Sequence, residues 1–139
     1  MKKQLLFGHV LTLAVGGLIY IAFRSDTLLM FKYIAAISLD TPIEYLREIT
    51  LTTKKYLPNW LLFSLPDGLW IFSYVTLTLF IWNNKITKEN IFWITIIPCT
   101  VILFEIAQLL TFTPGTFDLV DLAFYLIGAA LPISLFKKL

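Results

Sequence analysis

Four stretches of about twenty residues with almost no charge constrain this chain of 139 residues more than any other feature. Between Lys3 and Arg24 runs QLLFGHVLTLAVGGLIYIAF, entirely uncharged. From Tyr56 to Asn84 the one charge is Asp67, from Asn90 to Phe117 it is Glu105, and from Leu119 to Phe136 it is Asp121. A helix rising ~1.5 Å per residue crosses the ~30 Å hydrocarbon of a bilayer in about 20 residues. The stretches therefore read as membrane spans near 4–23, 61–82, 91–110 and 119–136. Composition agrees: 58% of residues are hydrophobic and 14% charged, against roughly 25% charged in soluble domains. The expectation is an all-α membrane protein in one domain over 1–139, a four-transmembrane-helix bundle with a helical extracytoplasmic segment at 24–60. Its first partner is the lipid bilayer. The net charge of +2 comes from short basic clusters at segment ends rather than from a basic face, which argues against nucleic acid. Cys99 alone permits no intramolecular disulfide, and one Cys with one His, His9, does not make a zinc site.

Lys and Arg in short loops resist translocation. Lys2 and Lys3, Lys85 and Lys88, and Lys137 and Lys138 fall on one side of a four-span arrangement, so the reading is a multi-pass plasma (inner) membrane protein with both termini cytoplasmic. Segment 24–60, with Arg24, Lys32, Arg47, Lys54 and Lys55, counts the other way. A signal peptide with cleavage after Ala14-x-Gly16 is the alternative for the N-terminus, but the apolar run continues to Phe23, longer than most such peptides. Within 24–60, Thr41-Pro42-Ile43-Glu44 reads as a capping box, predicting a helix from near Pro42 that stops before Pro58. The apolar stretch 27–39 is too short to span and is expected at the outer interface or dipping into the bundle. Trp60 at the outer edge, with Trp82 and Trp93 at the inner edge, suits aromatic belts. Gly16 and Gly17 suit close helix packing.

The candidate chemistry lies in a sign asymmetry. Asp67, Glu105, Asp118 and Asp121 sit at similar depth near the outer ends of spans two, three and four, and no Lys or Arg occurs from 56 to 84 or from 89 to 136. An ionised carboxylate facing lipid costs at least ~2.5 kcal/mol, so these groups should face the bundle interior or a wet vestibule. Glu105 and Gln108 share a helix face, as do Asp118 and Asp121. Simpler roles compete: Asp118 as the cap of span four, Asp67 as a turn residue in SLPDG, and Glu105 as a neutral acid bonded to Gln108 or Thr111. Hard oxygen donors suit Ca²⁺ or Mg²⁺, and Arg24 or Arg47 folding over the group is the other way to neutralise it. His9 reads as a satisfied interfacial histidine, and no Ser-His-Asp set, phosphate cradle or HExxH motif is present.

Glu105-Ile-Ala-Gln108, then Pro114-Gly115-Thr116-Phe117-Asp118-Leu-Val-Asp121, then Gly128, resembles the signature of the VanZ-like family of small membrane proteins. In that family an E-x-x-Q pair ends one helix, a P-G-R-x-x-D-x-x-D loop follows, and D-x-x-x-N-x-x-G opens the last helix. Leu65-Pro66-Asp67-Gly68 resembles its D-K-x-x-H entrance, so the likeness covers roughly 60–136. Thr116 stands where the family has arginine, Tyr125 where it has asparagine, and Gly68 and Ile71 where it has lysine and histidine. The resemblance implies a cell-envelope membrane protein, in a family named for a member associated with glycopeptide-antibiotic resistance. It carries Glu105, Gln108, Asp118 and Asp121 over by position.

Three functional readings follow. The first is a non-enzymatic protein with an outward-facing acidic site: Glu105 and Asp121 as core ligands, Asp67 and Asp118 as the rim, and Gln108 as a neutral partner, taking a cation or an envelope lipid or glycan. The second is an enzyme on lipid-linked envelope substrates, with carboxylates as acid and base. The third is a small accessory subunit whose carboxylates pair with a partner membrane protein.

Overall fold

A computed structural model describes residues 2–25, 29–38 and 40–137. Among them the protein is an all-α bundle with four helices long and apolar enough to cross a membrane. These are α1 (Gln4–Phe23), α5 (Ser64–Ile81), α6 (Ile91–Leu109) and α7 (Leu119–Phe136), with the short helices α2 (Leu29–Ala36), α3 (Asp40–Thr53) and α4 (Asn59–Leu62) between α1 and α5. Spans one and four coincide with the charge-free gaps. Span two begins three residues late, at Ser64, because Phe63 breaks the chain between α4 and α5. In the connecting segment α3 begins at Asp40 rather than Pro42. Thr41 is thus inside the helix and is not its cap; Pro42 still falls in the first turn, where a missing N–H costs nothing. Part of the apolar stretch 27–39 forms α2, and residues 27, 28 and 39 lie outside the described residues.

The bundle is organised around α5. Half of α5 is buried, against 17% of α1, 17% of α6 and 11% of α7. Those three helices present apolar side chains such as Leu18, Leu103, Phe104, Leu126 and Leu135 outward, as lipid requires. Ile71, Val75 and Leu79 of α5 pack with Ile94 of α6, and Tyr125, Ala129 and Ile133 of α7 close over them.

Without a hydrophobic drive between helices in lipid, close packing does the work, and small residues set its distance. A Cβ placed on Gly128 would stand 2.4 Å from the Gly68 carbonyl oxygen, and one on Gly68 would stand 3.0 Å from that of Phe124. The backbones of α5 and α7 therefore meet directly. On the other flank Gly8 admits Thr76 and Gly16 admits the Trp70 indole, at 2.7 and 2.8 Å from their virtual Cβ atoms. Gly17, expected to share this role, has nothing within 4 Å and faces outward.

The first eight residues of α1, Gln4–Leu11, are π-helical. There Gln4 and Asn84 exchange two hydrogen bonds of 2.7 and 2.9 Å, both buried. His9 is satisfied as expected: Nδ1 lies 2.7 Å from Ser73 Oγ and 3.3 Å from the Ser73 carbonyl oxygen. Asn90, fully buried, closes the 85–90 turn by accepting from the Thr87 N–H and donating to the Lys85 carbonyl, each at 2.8 Å. In the same turn the Thr87 side chain holds the exposed Glu89 carboxyl below its usual range, helped by the residue's own backbone N–H.

The outer end of α1 is finished by α3. The last carbonyls of any helix lack internal partners. Arg47 Nη1 donates to the carbonyls of Ile21 and Arg24, both at 2.8 Å, Thr50 to that of Ala22 at 3.2 Å, and Lys54 to that of Phe23 at 3.1 Å. Two of these donors are cations at a helix C-terminus, where the dipole favours them. Much of the basic content of the connecting segment is thus fixed to α1.

Candidate functional site

The α5–α7 glycine contact decides which carboxylates meet. Asp67 lies in the first turn of α5, beside Gly68, and Asp121 in the first turn of α7. Bringing the two backbones together at Gly68, Phe124 and Gly128 brings these turns side by side. Glu105 approaches from α6, where the buried residues Ile94, Pro98 and Glu105 define the face turned to the bundle. Asp67 and Tyr125, one turn beyond Asp121, line one cavity, and Glu105 reaches the N-terminus of α7 three residues before Asp121. Three spans thus contribute one acid each to a common region.

Each acid is held differently. Glu105 is 4% exposed, and its Oε1 accepts the main-chain N–H of Asp118 at 2.6 Å. Its partner is therefore neither Gln108 nor Thr111 but the N-terminus of α7, whose dipole favours a negative charge. Asp118 is the N-cap of α7: its Oδ1 accepts from the Val120 N–H at 2.7 Å. Asp121 keeps Oδ1 shielded from solvent and without a hydrogen-bond partner among the described residues. Asp67 Oδ2 has one cationic contact, Arg24 Nη2 at 3.5 Å, with both side chains partly exposed at 22% and 29%.

Arg24, at the end of α1, is the counter-charge. Its guanidinium lies over the rings of Tyr20 and Phe63, 5.2 and 5.1 Å from their centroids, and Nη2 also donates to the Phe63 carbonyl at 3.4 Å. Such aromatic walls favour a cation where water is scarce. Arg47, the other candidate for folding over the acids, is spent on the α1 carbonyls instead.

Gln108 does not join the acids. Its amide packs on Gly115, whose φ of +132° suits glycine and whose virtual Cβ would stand 2.9 Å from Gln108 Cδ. It makes no side-chain hydrogen bond to Glu105. Asp118 is also set apart. With Asn59, Trp60, Phe63, Ser64 and Val120 it lines a cavity of about 230 Å³, whereas Asp67 lines one of about 320 Å³ with Trp70, Ile71, Ile97, Val101 and Tyr125. Among the described residues no three His, Cys, Asp or Glu side chains stand close enough to hold one metal ion. Ca²⁺ takes six to eight oxygens, so these carboxylates alone do not make up a Ca²⁺ site.

Sequence reasoning missed Trp70, Ile97 and Val101, which look like ordinary lipid-facing or core residues until the helices are placed. Tyr125 stood out only as a departure from a family asparagine. Together these features define an integral membrane protein with a partly neutralised acidic group at one end of its bundle. The chain matches no family model, no curated protein and no solved structure.

Proposed function

We propose that this chain is a VanZ-like integral protein of the cell envelope that binds, without chemical turnover, a cationic or hydroxyl-bearing envelope ligand at an acidic site open to the outer side. Both termini are cytoplasmic in this reading. The observation that carries it is the charge balance at membrane depth: Asp67, Glu105 and Asp121 come from three spans, and among the described residues Arg24 is the one cation paired with them and Asp121 Oδ1 has no hydrogen-bond partner. Intramembrane carboxylates left this way are costly in lipid, and a ligand that completes their pairing offsets the cost. The resemblance supports the setting, since Glu105, Asp118 and Asp121 occupy the family's acidic positions. Ser73 offers no counter-argument for an enzyme: it is 1% exposed and bonded to His9, away from the acids.

Native mass measurement after gentle extraction tests the reading. Wild-type protein is expected to retain small envelope-derived adducts that Asp121→Asn loses, with Leu135→Ala, on an exposed apolar position, as the control. Equal adducts on all three proteins would refute the binding role. A stable heteromer without adducts would favour an accessory subunit.

A further inference from the structure

Resting on that reading, we propose that the cavity between α5, α6 and α7 binds a single-chain amphiphile carrying a primary ammonium group, with the ammonium at Asp67 and the start of its hydrocarbon chain against Ile71, Ile97 and Val101.

The lining is sorted by chemistry. Asp67 and Tyr125 supply its polar groups, Trp70 borders it while its indole packs on Gly16 and Tyr20 of α1, and Ile71, Ile97 and Val101 supply an aliphatic wall. A carboxylate beside an aliphatic wall pairs with an organic cation through a charge-assisted hydrogen bond while the wall takes the start of its chain. At about 320 Å³ the cavity falls at the lower end of small-molecule sites. It takes a head and part of one chain rather than a two-chain lipid.

Charge selects the sign of the head. Among the described residues Arg24 is the cation at Asp67, while Glu105 and Asp121 bring acids from two further helices, so a cationic head completes the pairing where an anionic one would not. The Arg24 contact with Asp67 is long at 3.5 Å, and Arg24 is held independently by the Phe63 carbonyl and two rings. Asp67 therefore accepts a second cation without Arg24 having to leave. Location selects the rest: the cavity lies between helices long and apolar enough to cross a membrane, so a ligand with a hydrocarbon chain can keep that chain in the bilayer.

Trp70 lines the cavity and reports on it. The full chain is reconstituted in phosphatidylcholine nanodiscs with Trp60, Trp82 and Trp93 replaced by Phe, and titrated with dibrominated octadecylamine or dibrominated octadecanoic acid. The amine is expected to quench Trp70 saturably at an about five- to tenfold lower mole fraction than the acid, the range one ion pair supplies. Asp67→Asn should bring the two curves together, and Val101→Phe, which fills the cavity, should weaken both. Equal quenching by amine and acid without the Asp67 substitution overturns the proposal, and this comparison needs no variant at the acids. An amine preference that ignores Val101→Phe overturns the chain's placement. A preference lost in Asp121→Asn but kept in Asp67→Asn moves the head, and leaves the acidic-site function standing while this inference fails. Displacement of the amine by a Lys-bearing transmembrane peptide, with no amine selectivity over the acid, would assign the cavity to a partner helix instead.

Discussion

Glu105 shows how one acid can be structural and functional together. Its Oε1 receives the Asp118 N–H at 2.6 Å, and Asp118 in turn caps α7, so a single carboxylate ties α6 to the start of the last span. Glu105→Ala leaves that N–H without its acceptor in a water-poor site and is expected to cost about 2–3 kcal/mol, the range for charge-assisted bonds. Glu105→Gln keeps an acceptor oxygen and is expected to cost under about 1 kcal/mol. Unfolding in mixed micelles measures both, and equal losses would mean that the charge rather than the tether carries the stabilisation. Positions of the four acids were legible in the sequence because charge is conspicuous in apolar runs. Their partners were not. A main-chain N–H thirteen residues away, or a guanidinium from α1, leaves no mark on local spacing, so helical spacing pairs Glu105 with Gln108 while the fold bonds it to Asp118 and packs Gln108 on Gly115.

The spans themselves were readable because hydrocarbon imposes one rule, that every backbone polar group be satisfied within the helix, and a run of apolar residues long enough to cross has one way to obey it. The short helices α2 to α4 obey no such rule, so their bounds shifted. Asp40 rather than Pro42 opens α3, and Phe63 separates α4 from α5. Pairing between helices was half legible: Gly16 does admit Trp70, but Gly17 beside it admits nothing, since a stripe of small residues does not say which of them faces a neighbour. The contact that matters most for the acids is Gly68 on Gly128. Gly128→Ala puts a methyl group 2.4 Å from the Gly68 carbonyl oxygen, forcing α5 and α7 apart at an expected cost of about 1–3 kcal/mol. Gly17→Ala, with open space around it, should instead stabilise by about 0.5–1 kcal/mol through helix propensity. Unfolding of the two variants side by side checks the assignment. The reverse order would mean that α1, not α7, sets the packing of α5.

The distribution of charge over the assembled bundle bears on how it sits in a membrane. Gln4 bonds Asn84, and the Phe136 ring lies 3.4 Å from the virtual Cβ of Gly8. The start of α1, the turn after α5 and the end of α7 therefore share one end, and Lys2, Lys3, Lys85, Lys88 and Lys137 collect there. At the opposite end Arg24, Arg47 and Lys54 bond to backbone carbonyls or to Asp67, and the acids gather beside them. In the proposed orientation Arg24, Arg47 and Lys54 finish a helix or pair with Asp67 and so have a structural reason to be outside, while Lys32 and Lys55 still count against it. The proposed orientation then makes a sharp demand on two exposed loop positions, Lys88 and Thr116, at opposite ends of α6. In a Cys99→Ser background, Thr116→Cys should react with a membrane-impermeant maleimide on intact cells, and Lys88→Cys should react only after permeabilisation. The opposite pattern would turn the acidic group toward the cytoplasm, which would exclude an outer-envelope ligand while leaving the α5–α7 contact and the Glu105 tether unchanged.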